Sequence, residues 1–104
     1  MSRFTPKLVR DRIPEMIQSE GKYCLYHTAD KDEYILELKR KLHEEVTEFT
    51  EDPCLDEAAD VISVFVTLVE AVGLDLGDAL IAAVDKEESH GAFVDKVILD
   101  AIDE

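Results

Sequence analysis

Apolar positions along the chain recur at steps of three and four residues, the spacing that places them on one face of an α-helix. The clearest stripe predicts a helix over residues 30–50. Its members are Ile35, Leu38, Leu42, Val46 and Phe49. A shorter helix is predicted over residues 11–20, with Asp11 as its N-cap, Pro14 in its first turn and Gly21 after its end.

A third helix is predicted from the Asp52–Pro53 pair to Val72, with Gly73 as its stop signal. Its positions are almost all apolar, and the polar ones form a single narrow stripe. The stripe consists of Asp56, Asp60, Ser63, Thr67 and Glu70. A helix this apolar must be covered on nearly all sides, which a short chain cannot do alone. We therefore expect burial against a partner chain and a homo-oligomer.

A fourth helix is predicted over residues 76–89, capped by Asp75 and ended by His90–Gly91, whereas residues 93–102 fit either a short helix or an extended tail. The 4 glycines and 3 prolines are too few for an all-β protein. A length of 104 residues suits one domain. The expected fold is all-α, a helical bundle of about four to five helices in a single domain over residues 1–104.

Charge narrows the classes of partner. The net charge of −14 argues against nucleic acid, whose phosphates require a basic surface. Residues 1–43 carry nine Lys or Arg and seven Asp or Glu, whereas residues 44–104 carry two and eighteen. A basic region beside an acidic one suits a polyanion bound through divalent cations. Alternatively, the acids only keep a small helical protein in solution.

The sequence also bears on location. Its longest uncharged central stretch, Val61–Val69, is too short to cross a membrane, and the N-terminus has no apolar run that could act as a signal peptide. Cys24 and Cys54 lack CxxC spacing and are expected to be free thiols. We expect a cytoplasmic protein with no membrane partner.

Two acidic pairs carry the candidate chemistry: Glu45 with Glu48, and Glu57 with Asp60. Residues three apart share a helix face, and antiparallel packing of the two helices would make all four carboxylates converge. Two such charges 5 Å apart repel by about 3 kcal/mol at an effective dielectric of 20, so the cluster needs a cation or bound protons. Oxygen donors alone favour Mg²⁺, with Mn²⁺ also possible.

Helical geometry ranks the acids on the second helix. Glu45 is expected at the edge of the buried face, Glu48 just beyond it, and Glu44 toward solvent. His43 projects away from the site and is expected to be a surface residue. A solvated acidic rim, favourable near a helix N-terminus, remains an alternative for the acidic pairs.

Glu44-Glu45-x-x-Glu48 followed by Glu57-x-x-Asp60 resembles the signature of the all-α nucleoside triphosphate pyrophosphohydrolases, the MazG-like superfamily. The opening K-L-V-R-D-R-I-P-E at Lys7–Glu15 resembles its phosphoribosyl-ATP pyrophosphohydrolase-like branch. The closing K…H-G-A-F…V-I-L over residues 86–99 is similar to that branch as well. One difference is His90, which stands where the branch usually has Arg.

The resemblance implies a Mg²⁺ site, hydrolysis of a nucleoside triphosphate between its α- and β-phosphates to a monophosphate and pyrophosphate, and a homodimer or homotetramer. It implies that Glu44 is peripheral, and that the metal is held by Glu45, Glu48, Glu57 and Asp60. We expect Glu45 or Glu48 to act in catalysis by taking a proton from the attacking water.

Four basic residues are candidates for binding phosphate: Lys7, Arg10, Lys41 and Lys86. Each could equally be an ordinary surface charge, and Arg10 is favoured because it belongs to the matched opening motif. Two other functions stay open. One is hydrolysis of phosphoribosyl-ATP in histidine biosynthesis, and the other is a non-catalytic helical module that binds a nucleotide or a protein.

Overall fold

In a computed structural model, residues 6–103 are described, and they contain four α-helices and no β-strand. The helices are α1 (Ile13–Ser19), α2 (Lys31–Glu51), α3 (Leu55–Ala71) and α4 (Leu76–His90). The predicted all-α class is confirmed over this part of the chain. No helix within residues 6–103 has the length and apolar character that a membrane crossing requires.

The first helix is shorter than its prediction. Pro14 lies in its first turn, where a missing N–H costs nothing, and Gly21 follows it with a φ of 79°. Asp11 was predicted as the N-cap, but that position belongs to Arg12, whose side chain makes no capping hydrogen bond. The Asp11 prediction is wrong because the helical turn begins one residue further along the chain.

The second helix begins as its sequence predicts. The Asp30 carboxylate accepts a hydrogen bond of 2.9 Å from the backbone N–H of Glu33, which satisfies one free donor of the first turn. Within its predicted apolar stripe Leu38 is only 2% exposed, whereas Val46 is 42% exposed. Leu38 and Val69 of α3 are the buried apolar residues among those described.

The third helix begins later than predicted. Because α2 continues through Glu51, Asp52 serves as its C-cap and donates its backbone N–H to the Glu48 carbonyl at 3.0 Å. Asp52 therefore cannot cap α3, whose N-cap is Cys54. Only three residues join α2 to α3, and the two helices pack together as an antiparallel hairpin. Both cysteines are free thiols.

The chain divides after Gly73 into two compact units. In the second unit, the Asp75 side chain caps α4 by accepting from the N–H of Asp78 at 2.9 Å. Gly91 ends this helix with a φ of 90°, and residues 91–103 form no further helix. Of the two alternatives for residues 93–102, the short helix is therefore excluded. The expectation of a single domain stays a prediction.

Many large apolar side chains remain exposed in the single chain. On α3 these include Leu55, Ile62 and Phe65, and on α4 they include Leu80, Ile81 and Val84. Exposed apolar positions clustered on a helix mark surfaces that another molecule can cover. The exposure is consistent with the expected homo-oligomer, which stays a prediction.

Candidate metal centre

Three carboxylates from two helices converge near the bend of the α2–α3 hairpin. Glu45 comes from the C-terminal half of α2, and Glu57 and Asp60 come from the first two turns of α3. One oxygen of each lies within 4.8 Å of the other two. The sequence positions them because Glu57 and Asp60 are three residues apart on one helix face and the connection to α2 is short.

Two oxygens of this cluster are buried without a hydrogen-bond partner: Oε2 of Glu45 and Oε2 of Glu57. Glu45 as a whole is only 5% exposed. A buried polar atom with no partner costs free energy, and more so when it carries charge. A hard cation bound between these oxygens would satisfy both of them, so the donor set fits Mg²⁺ or Mn²⁺.

The environment of Glu45 disfavours its charged form. Burial raises the pKa of the Glu45 carboxyl above its ordinary value, and the neighbouring Glu48 carboxyl raises it as well. Lys41 acts in the opposite direction, because its ammonium hydrogen-bonds to Glu45. The net direction is upward, so Glu45 holds a proton more readily than an exposed glutamate does.

Lys41 lies beside the cluster on α2. Its side chain is 18% exposed, and its Nζ lies 3.2 Å from Glu45 Oε1 and 3.4 Å from Glu44 Oε1. Desolvation lowers the pKa of Lys41, but hydrogen bonds and charges from the two glutamates outweigh it and leave the pKa raised. Lys41 is thus a charged partner of the acids, and its predicted role in phosphate binding stays a prediction.

Arg10 reaches the cluster from the segment before α1. It donates from Nη2 to Asp60 Oδ1 at 2.7 Å and to Ser63 Oγ at 3.3 Å. The hydrogen bond to Asp60 raises the pKa of the guanidinium. This ion pair was not predicted, although Asp60 and Ser63 belong to the polar stripe of α3. Arg10 therefore contacts two residues of the polar stripe of α3.

The two other predicted acids lie at the margin of the cluster. Glu48 is exposed and interacts with the Glu45 carboxyl, but it is not one of the three that converge within 4.8 Å. Glu44 was expected to point to solvent; its side chain is 38% exposed and its Oε1 lies 3.4 Å from Lys41 Nζ. Glu44 also lines a cleft that Pro6, Lys7 and Leu8 border.

The remaining predicted basic residues are Lys7 and Lys86. Lys7 lines a cleft of about 330 Å³ formed by Pro6, Lys7, Leu8, Glu37, Arg40, Lys41 and Glu44. Arg40, which the sequence reasoning missed, pairs with Glu37 at 2.8 Å. Its sequence signal was only its position beside Lys41. Lys86 lies on α4, in the other compact unit.

Comparison with known proteins identifies no family. No model of a known protein family matches the chain, and no solved structure matches it. A protein of Mycolicibacterium smegmatis described as uncharacterized is 43% identical over 54 residues. The matched region covers 52% of this chain and 55% of that protein, so the chain spans about half the length of the relative. Its description names no activity that could be compared.

Proposed function

We propose that this chain is a Mg²⁺-dependent nucleotide pyrophosphohydrolase that cleaves a nucleoside triphosphate between its α- and β-phosphates. One observation carries the proposal: Glu45, Glu57 and Asp60 converge, and two of their buried oxygens have no hydrogen-bond partner. The reaction class comes from the resemblance of the acidic motif and the opening segment to the MazG-like all-α superfamily. The all-helical architecture is compatible with that fold.

The proposed metal ligands are Glu45, Glu57 and Asp60, joined by Glu48 from the edge of the cluster. When bound, Mg²⁺ or Mn²⁺ would neutralise phosphate charge and activate a water. The contribution of the chain is to hold the oxygens of Glu45, Glu57 and Asp60 close together on two packed helices.

The second contribution of the chain is a base. Glu48 is exposed beside the cluster, where it can accept a proton from the attacking water. Glu45 is the other candidate, since its carboxylate lies within the cluster itself. In this proposal Glu45 mainly holds the metal and Glu48 takes the proton.

Phosphate binding is assigned to basic residues near the cluster. Among residues 6–103, Lys7 forms no ion pair, and it lines the cleft that Glu44 and Lys41 also border. Arg10 lies directly against the acids. We therefore place these two cations nearest to the substrate phosphates, with Lys41 as a further candidate, while a role of Lys86 in phosphate binding rests on the sequence alone.

The proposal includes the setting in which the enzyme acts. We propose a cytoplasmic homodimer or homotetramer, in which the exposed apolar side chains of α3 and α4 are covered by other copies. The substrate is a nucleotide, and the proposal assigns no role to nucleic acid or a membrane.

A panel of nucleotides with product identification tests the activity. The purified protein with Mg²⁺ should release pyrophosphate, and not orthophosphate, from at least one nucleoside triphosphate. Turnover of phosphoribosyl-ATP far above all others would assign the alternative substrate. No pyrophosphate from any compound would contradict the proposal, and absence of saturable Mg²⁺ binding by calorimetry would favour the non-catalytic module.

Variants connect the activity to the site. Asp60→Asn and Glu48→Gln should each lower turnover at least 100-fold while the far-ultraviolet circular dichroism stays that of the wild type. Glu70→Gln is the matched control, because Glu70 is an exposed acid on the same helix as Asp60 and lies outside the cluster. Its turnover should stay within about twofold of the wild type.

A further inference from the structure

The acid cluster has two positive partners, and they are held very differently. Lys41 is on the same helix as Glu45, and its side chain is 18% exposed. Arg10 lies 50 residues from Asp60 in sequence, and its side chain is 62% exposed. Within residues 6–103, Glu57 forms no ion pair. The guanidinium can therefore move into solvent without disturbing packed side chains, whereas the ammonium cannot.

Arg10 binds a carboxylate that a cation in the cluster would also attract. Its Nη2 lies 2.7 Å from Asp60 Oδ1, and Asp60 is one of the three acids that converge within 4.8 Å. Two positive groups on one carboxylate repel each other strongly at such separations. Of these two groups the Arg10 guanidinium is the one that leaves Asp60, because an exposed ion pair contributes little free energy.

We propose that Arg10 is an exchangeable counter-ion: it neutralises Asp60 in the metal-free protein, and a divalent cation that enters the cluster displaces it. The inference rests on the metal site of the proposed function. It makes binding of the cation and release of the guanidinium one coupled step. Arg10 then becomes available to an anionic ligand only when the cation is in place.

The test compares two arginines that are close in sequence. Arg10→Gln removes the counter-ion, whereas Arg12→Gln removes the same charge from a residue that is 79% exposed and pairs with Glu15. Mg²⁺ and Mn²⁺ are titrated into the full chain, and dissociation constants are measured by calorimetry. The metal-dependent rise in unfolding temperature gives an independent readout.

We expect Arg10→Gln to bind the cation about two- to fivefold more tightly than Arg12→Gln does, with a correspondingly larger rise in unfolding temperature. Arg10→Lys, which keeps the charge but loses the planar donor fork, should lie between the wild type and Arg10→Gln. Binding by Arg10→Gln where the wild type shows none would support the proposal most directly.

Three results would overturn the inference. Equal affinity in Arg10→Gln and Arg12→Gln would show that Arg10 does not compete, and the metal site itself would stand. Weaker binding by Arg10→Gln would show that Arg10 orients Asp60 as a ligand, again leaving the site intact. Absence of Mg²⁺ and Mn²⁺ binding in the wild type and in all variants would reject both the exchange and the metal site.

Discussion

Among the acids of the cluster, Glu45 is the one whose charged form is most disfavoured by burial. It is the charged residue classed as buried among residues 6–103, and burial raises its pKa. In Glu45→Gln the disfavoured carboxylate is replaced by a neutral amide of similar shape, and Lys41 keeps Glu44 at 3.4 Å. We expect the metal-free variant to be more stable than the wild type at pH 7, as measured by urea unfolding in the presence of a chelator.

The stability difference between Glu45→Gln and the wild type should depend on pH, with a sign that the pKa of Glu45 fixes. Because the pKa of Glu45 is higher in the folded protein than in the unfolded chain, the folded protein binds more protons between the two values. The contribution of Glu45 to the stability of the wild type therefore falls as the pH rises above 4.5, and the advantage of Glu45→Gln grows over the same interval. An advantage of Glu45→Gln over the wild type that shrinks as the pH rises would contradict the prediction.

For a single residue, the sequence predicts the side of the helix on which it lies. It does not predict which distant segments of the chain contact that residue. The helical angle placed Glu45 at the edge of the buried face of α2, and Glu45 is 5% exposed. Nothing in the local pattern shows that Pro6, Lys7 and Leu8 border a cleft with Glu44. The Arg10–Asp60 ion pair joins residues 50 positions apart, and only the tertiary structure brings them together.

The α2–α3 hairpin depends on the buried stripe of α2, and Leu38 is its least exposed member at 2%. Leu38→Ala leaves a cavity between the helices and should lower the free energy of unfolding by about 2–5 kcal/mol. Leu36→Ala is the control, because Leu36 lies on the same helix but is 48% exposed, and its cost should stay below about 1 kcal/mol. Equal losses in chemical denaturation would show that the hairpin does not depend on this contact.

The sequence predicted where a helix begins when a capping residue directly precedes the first residue of the apolar periodicity. Asp75 was predicted as an N-cap and accepts the expected backbone hydrogen bond, and α2 begins directly after Asp30, where its helix was predicted to begin. The start of α3 was not predictable, because Asp52 can either end one helix or cap the next. The continuation of α2 through Glu51 decides between these roles, and it depends on packing along the whole hairpin.

Several large apolar side chains of α3 are exposed in the first compact unit. Ile62 and Phe65 lie three residues apart on α3 and are 63% and 46% exposed. We expect the protein to self-associate at micromolar concentration, as measured by light scattering coupled to size exclusion. Ile62→Ser should weaken association at least tenfold, because each copy would lose the burial of one large apolar side chain.

Glu70→Ser is the matched control for this change, since Glu70 is also exposed on α3 but is charged. Its effect on association should be smaller than that of Ile62→Ser. A wild-type chain that stays monomeric at all accessible concentrations would reject the homo-oligomer. The sequence predicted the need for cover from the apolar character of α3, but which surfaces meet depends on a second chain.

Because only three residues link α2 to α3, repulsion between carboxylates is strongest at the bend of the hairpin. Closing so short a link costs little chain entropy, yet it brings three negative groups together at one point. We expect the metal-free chain to fray first at this bend, while the far end is held by Leu38 and Val69. A cation bound at the bend would link α2 to α3 there and would reduce local unfolding at the least stable end of the hairpin.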